Sequence, residues 1–444
     1  MENLIPHDSY HHAEIEVLRE NWASVTPRER QDKFHALPRL DAEELFLRLN
    51  AQEQFELINT LTSPEKRSWL RLLAPDDAAD LIQEYPQEER ERLLALLDED
   101  TRTDVIALLA YAEDDAGGLM NPKFVRLRPD VSVDVAVRYL RAQARKHVKT
   151  IHYAYVIDAK DKLLGTVSFR ELLLAPANQL VSDIMETNLI TVPENMDQEE
   201  VGRRFSHHGL TAIPVVDKKR RMKGIVTIDD VVEVVEEEAT EDIHKFGGVE
   251  TLGAPYFQVG LLEMIKKRGG WLVLLFLSEM LTATAMGYYQ KEIERAIVLA
   301  LFIPLIISSG GNSGSQASTL VIRALALGEI KLRDWWRVLL RELSSGLALG
   351  AILGVIGLCR ILLWPRREKI YGEHFLLIGF TVACSLVGTV LWGTLTGSML
   401  PFVLRRLGLD PASASAPFVA TLVDVTGVII YFTVASIILS GTLL

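Results

Sequence analysis

One carboxylate sits where charge is expensive. In the stretch SAPFVATLVDVTGVIIYF, Asp424 is surrounded by apolar residues, with no Lys or Arg in the run. An ionised carboxylate in hydrocarbon costs at least about 2.5–3.5 kcal/mol, so it should face a pore or a partner. A protonated Asp at a helix contact is the plainer alternative. Glu279 and Glu342, also in apolar surroundings, are weaker candidates of the same kind. The second chemical feature is DDVVEVVEEEATED. Residues 229–242 hold eight carboxylates, among them Asp230, Glu233, Glu241 and Asp242, and no Lys or Arg. Its valines form an apolar stripe and read as a helix, in which like charges three and four apart repel. A solvated face would tolerate this. Divalent cations would neutralise it, and oxygen-only ligands suit Mg²⁺ or Ca²⁺ rather than Zn²⁺ or Cu²⁺. A further acidic group, Asp76, Asp77 and Asp80, stands far upstream and could face this helix across a domain interface.

The elements that must hold these groups fall in two unlike halves. Of 444 residues, 49% are hydrophobic and 24% charged, with a net charge of −12. Residues 1–268 carry 34 Lys+Arg against 49 Asp+Glu, whereas 269–444 carry 13 against 10. Acid excess argues against nucleic acid as a partner, because phosphate binding needs clustered Lys and Arg. Cys359 and Cys384 lie in apolar stretches without metal-like spacing, which makes a disulfide framework or a zinc site improbable. From Trp271 onward five apolar runs, at about 271–289, 296–322, 338–364, 374–404 and 415–443, are long enough to cross a bilayer. Asp424 falls in the fifth. The second carries IPLIISSGGNSGSQAS, in which Pro304 is expected to break the helix and Gly310, Gly311, Asn312 and Gly314 to open backbone toward a water-filled path. A glycine packing seam is the alternative.

The first residues, MENLIPHDSYHHAEIEV, lack a basic region followed by an apolar core, so no signal peptide is expected and the soluble half should stay in the cytoplasm. Five spans then put the C-terminus outside an inner or plasma membrane. Lys266, Lys267 and Arg268, the cluster from Arg323 to Arg341, and Arg405 and Arg406 fit that orientation, whereas Arg366, Arg367 and Lys369 count against it.

Residues 15–112 read as six or more short helices behind Pro, Asp, Ser or Thr starts, forming a helical superhelix or a simple bundle. Residues 119–238 contain a repeat. LMNPKFVRLRPDVSVDVAV recurs as IMETNLITVPENMDQEEV, and YVIDAKDKLLGTVSFREL as VVDKKRRMKGIVTIDDVV, with Gly165 and Gly224 at matching positions. This resembles a tandem pair of CBS domains. In that family a Gly-x-x-Thr-x-x-Asp segment holds an adenosine nucleotide, the Thr on a phosphate and the Asp on the ribose. The second copy keeps it as Gly224, Thr227 and Asp230, and the first has Ser168 and Glu171. Ordinary strand-end and helix-cap residues would look the same.

Taken together, the chain resembles the MgtE family of magnesium channels over nearly its whole length, through EATEDIHK, P-x(5)-GGNSGSQ, LRRLGLDPA and PFVATLVD. The resemblance implies a multi-domain membrane protein. An all-α superhelical N domain would span 1–118, α/β tandem CBS domains 119–178 and 179–228, an acidic plug helix and linker 229–268, and an α-helical five-span transmembrane domain 269–444. It implies a homodimer in the lipid bilayer, with a pore lined by the second and fifth spans. By the same resemblance Asp424 meets hydrated Mg²⁺, Asp76, Asp80, Asp230, Glu233, Glu241, Asp242 and Asp410 are regulatory Mg²⁺ ligands, and ATP is a regulatory ligand at Thr227 and Asp230. Gly311, Asn312, Ser315, Ala416 and Pro417 would form the pore lining and gate. Three positions depart from the family pattern: Ser315 and Ala416 stand where Asn is expected, and Gly209 where an acidic ligand is expected. The expected activity is Mg²⁺ uptake gated by intracellular Mg²⁺, without covalent chemistry. Two alternatives stand beside it, a carrier of Co²⁺ or Ca²⁺ and a membrane-anchored nucleotide sensor.

Overall fold

Well-capped short helices build the start of the chain. The structure, a computed structural model, describes residues 18–19, 22, 25–143, 152–257 and 259–443. The reading of the first seventeen residues lies outside them. Two compact units result, Met1–Glu238 and Ala239–Leu444.

In the first unit, helices Pro27–Ala36, Arg39–Leu47, Ala51–Asn59, Ser63–Leu70, Pro75–Gln83, Gln87–Leu94 and Glu99–Leu108 follow one another. Thr26, Asn50 and Thr62 pair reciprocally with Glu29, Glu53 and Glu65, satisfying backbone N–H groups that a helix start leaves open. Their apolar faces form one core around Leu45, Ile58, Leu81, Ile82 and Val105. That core continues into the second repeat through Val201, Ile213 and Val226, and into the acidic helix through Val231.

Each repeat is a small three-stranded sheet. In the first, β1 (Arg126–Leu127) runs parallel to β2 (Tyr153–Ile157), which pairs antiparallel with β3 (Leu163–Ser168). In the second, β4 (Val192–Pro193), β5 (Ala212–Val216) and β6 (Met222–Thr227) repeat the pattern. The repeated glycines have a steric reason. A Cβ on Gly165 would lie 2.9 Å from the Glu186 carbonyl, and one on Gly224 2.8 Å from that of Asn121. The leading segment of each copy thus lies against the last strand of the other, bridging Asn121 to Ile225 and Thr166 to Glu186.

Helix Ile228–Phe246 leaves the second repeat and contains the boundary between the units. Among the described residues of the second unit five helices are long and apolar enough to cross a membrane: Leu261–Tyr288, Ile297–Ala326, Leu332–Leu362, Phe375–Arg406 and Ala416–Leu439. The fourth is central. Gly346, Gly350, Gly354 and Gly357 of the third span bring its backbone against Thr394, Val387, Ala383 and Leu386 of the fourth, the close approach small residues permit. The first span runs parallel to the fifth, with Trp271 near Phe418 and Tyr289 stacked on Phe432 at 4.9 Å between centroids.

Pro304 does not break the second span. A 3₁₀ segment, Ile297–Phe302, precedes it, and Pro304 lies in the first turn of the α-helix Ile303–Ala326, where a missing N–H costs nothing. The glycine run stays helical, because hydrocarbon offers no other hydrogen-bond partner for its backbone. Gly310 and Gly314 are instead a seam: a Cβ on Gly314 would lie 2.9 Å from the Gly393 carbonyl, and one on Gly310 2.5 Å from Thr389 Cγ2.

Candidate functional site

Three groups of carboxylates are held by these elements. The first lies within the first unit. Asp76 and Asp77 open helix Pro75–Gln83, and Asp230 opens the acidic helix; one carboxylate oxygen from each lies within 4.8 Å of the others. Asp76 is 3% exposed and accepts a hydrogen bond from Asn121 Nδ2 at 2.9 Å. Asp230 Oδ2 accepts the Thr227 hydroxyl at 2.6 Å and its N–H at 3.2 Å. The surrounding protein, and then Asp76, Asp77, Asp230 and Glu233, push Asp80 well above the usual carboxylate range. Its side chain still reaches solvent, which screens part of that effect. Two turns beyond Asp230, burial and the charges of Glu233, Glu238, Glu113 and Glu84 push Glu237 up to about 7. Carboxylates brought this close repel one another, and a hard divalent ion would relieve that repulsion.

The second group, in the second unit, closes the acidic helix. Lys245 is ion-paired with Glu241, one turn earlier, and with Asp410 Oδ2 at 2.6 Å. Burial opposes its charge, but hydrogen bonds to Asp410 and Glu241 outweigh it and raise the ammonium pKa. Asp242 is half-buried on the same helix.

The third group lies on the second and fifth spans. A Cβ on Gly311 would meet Ala420 Cβ at 3.4 Å and Asp424 Oδ1 at 3.7 Å, so the second span's backbone borders the Asp424 carboxylate. Beside it Ser308, Asn312, Gln316 and Thr319 recur at helical spacing and are all exposed. Two departures from the expected pattern prove to be neighbours: the Ser315 hydroxyl donates to the Ala416 carbonyl at 3.2 Å, with Pro417 following in the first turn of the fifth span. The third departure falls at a helix end. Gly209 caps helix Gln198–His208 at φ 59°, a left-handed conformation that glycine adopts most readily.

Thr227 and Asp230 form the same cap as Ser168 and Glu171 in the first copy. A cavity of about 610 Å³ opens at the first copy, lined by His152, Tyr153, Ser168, Arg170 and, from the second copy, Thr211. The residues that sequence reasoning passed over are Asn121, Lys245, Arg170 and, beside the expected Asn312, Ser308, Gln316 and Thr319. Only the i,i+4 spacing of Glu241 and Lys245, and of Ser308, Asn312 and Gln316, signalled any of them.

Family models match three parts of the chain: a divalent cation transporter domain at 303–434, an MgtE intracellular N domain at 13–114, and CBS domains at 116–178 and 181–237. The magnesium transporter MgtE of Thermus thermophilus is 41% identical over 95% of this chain and 92% of its own length. That of Enterococcus faecalis is 29% identical, over 88% of this chain and 92% of its own. Among solved structures, the cytosolic domain of the Mg²⁺ channel MgtE in complex with ATP is 38% identical, covering 50% of this chain and 90% of its own at a TM-score of 0.47. With its N domain, CBS pair and five apolar helices in that order, this chain belongs to the MgtE family of magnesium transporters.

Proposed function

We propose that the protein conducts Mg²⁺ into the cell through a pore formed by two copies of the chain, and that cytoplasmic Mg²⁺ closes it. One observation carries the pore: the exposed polar stripe Ser308, Asn312, Gln316 and Thr319 on an apolar span, beside the Asp424 carboxylate. Such a face is costly against lipid and suits a water-filled path. Mg²⁺ sheds its waters reluctantly, so paired Asp424 carboxylates hold it through its hydration shell, weakly enough to release it. Inward movement of a double charge is driven by about 4.6 kcal/mol at 100 mV, and no energy source is needed. The N-terminus is cytoplasmic and the C-terminus outside.

Closure uses the other carboxylates. Mg²⁺ bridges Asp76, Asp80, Asp230 and Glu233 in the first unit, and Glu241, Asp242 and Asp410 at the end of the acidic helix, relieving repulsion and favouring a closed arrangement. An adenine nucleotide in the cleft at Ser168 and Arg170 tunes that response, its phosphates meeting Arg170.

Asp424→Asn keeps size and polarity and removes the charge. It should nearly abolish Mg²⁺ uptake into proteoliposomes while an intact dimer elutes from a sizing column. Normal uptake by this variant would defeat the pore assignment, and uptake of Co²⁺ or Ca²⁺ equal to that of Mg²⁺ would widen the substrate class.

A further inference from the structure

The end of the acidic helix brings a cation of its own. Lys245 reaches both Glu241 and Asp410, and it leaves neither oxygen of Asp410 unengaged. Oδ2 meets the ammonium at 2.6 Å, and Oδ1 accepts the Ala412 N–H at 2.8 Å at the start of the Pro411–Ser413 turn. Next to this bridge Phe246 packs with Ile322, Ala412 and Ala414. One ammonium and one ring therefore fasten the helix end to the loop that enters the fifth span, all within the second unit.

The chemistry of that bridge is competitive. A divalent ion placed between Glu241 and Asp410 would take the oxygens that Lys245 now holds, and it must replace two charge-assisted hydrogen bonds to do so. The ammonium hangs on the same helix one turn from Glu241, so its effective concentration at the site is high and constant. Free Mg²⁺ wins only above a threshold that this tether sets. Below it, the ammonium offsets part of the charge of the two carboxylates, which are not left facing each other bare.

We propose that Lys245 is a tethered competitor of the regulatory cation, occupying the Glu241–Asp410 site at low Mg²⁺ and setting the concentration at which Mg²⁺ displaces it. This rests on the reading of Glu241 and Asp410 as regulatory ligands.

The test uses the full-length protein in liposomes, with Mg²⁺ varied on the side of the soluble units and the half-closing concentration read from uptake. Lys245→Met and Lys245→Gln should close at about two- to five-fold lower Mg²⁺, the span of an ion pair at a partly exposed site. Lys245→Arg, which keeps the charge, should stay near wild type. The Mg²⁺ dependence of thermal stability in detergent should move the same way, which checks binding without transport. Asp410→Ala should raise the closing concentration. If Asp410→Ala leaves closure unchanged, the regulatory reading of this site is wrong and the proposal falls with it. If Asp410→Ala weakens closure while Lys245→Met and Lys245→Gln leave the threshold unmoved or raise it, Lys245 is a structural tether and the proposal alone is overturned.

Discussion

Replacing Glu237 by Gln should stabilise the Mg²⁺-free protein at alkaline pH. Its carboxyl is pushed from 4.5 to about 7, first by burial and then by Glu233, Glu238, Glu113 and Glu84. At about 1.4 kcal/mol per unit the full shift corresponds to roughly 3 kcal/mol. The side chain is partly exposed, so solvent screening reduces this to about 1 kcal/mol. The sign follows from linkage. An acid whose folded pKa is raised contributes stability below its unfolded value, and that contribution is lost as pH rises through the folded value. Without Mg²⁺, the first unit should therefore gain about 1 kcal/mol between about pH 8 and pH 5, or roughly 2–4 °C in Tm. Glu237→Gln should hold that gain at both pH values, and millimolar Mg²⁺ should produce much of it in wild type at pH 8. The assay is thermal unfolding of purified full-length protein in chelator or Mg²⁺ at the two pH values. An unchanged pH slope in Glu237→Gln would refute the reasoning, since repulsion at that carboxylate would then cost nothing.

Two further outcomes are expected. Protease cleavage within residues 247–259 should slow at millimolar Mg²⁺, and an Asp230/Glu233/Glu241/Asp242 quadruple Ala variant should lose that protection and conduct at Mg²⁺ levels that silence wild type; cleavage insensitive to Mg²⁺ in wild type would reduce the acidic helix to a solvated connector. Titration calorimetry with ATP should give binding that weakens at least ten-fold in Arg170→Ala, and no heat at millimolar ATP would remove the nucleotide from the cleft.

Much of the architecture was legible because membranes and repeats impose strict rules. Crossing hydrocarbon demands an apolar run of fixed length, and all five spans announced themselves that way. The paired strands followed from a repeated strand-glycine-helix pattern whose glycines are sterically required. What was hidden is proximity across the chain. Ser315 and Ala416, each odd by itself, are partners 101 residues apart, and Asn121 reaches Asp76 over 45. The short helix that joins the helical domain to the first repeat is held the same way: the Ala116 and Gly117 N–H groups donate to the Met196 and Glu194 carbonyls at 2.7 and 2.8 Å. Pro304 was misread because a proline that begins a helix and one that breaks it look alike until the preceding 3₁₀ segment is known. The Thr-x-x-Asp of the second copy is similarly ambiguous. A nucleotide motif and a helix cap ask for the same residues at the same spacing, and here Thr227 is 2% exposed with its hydroxyl on Asp230.

The energies explain why sensing is spread over several carboxylate groups. Moving a two-state gate from nearly always open to nearly always closed takes about 5.5 kcal/mol of differential binding. Relief at Glu237 supplies about 1 kcal/mol because water screens it, and the half-exposed bridge at Glu241 and Asp410 supplies no more than that, because an ion there must displace Lys245. No single group of this kind reaches the required bias. The convergence of Asp76, Asp77 and Asp230 around a buried Asp76 is the strongest contributor available, since an ion there replaces repulsion that water screens least. In the proposed two-fold dimer the first two contributions double to at most about 4 kcal/mol, so the Asp76 group must supply the remainder, and closure is expected to be steep because every ion favours the same compact state. If sensing is distributed as proposed, the glycine at Gly209, which suits its left-handed helix cap, leaves the sensor one carboxylate fewer and should shift its threshold without disabling it.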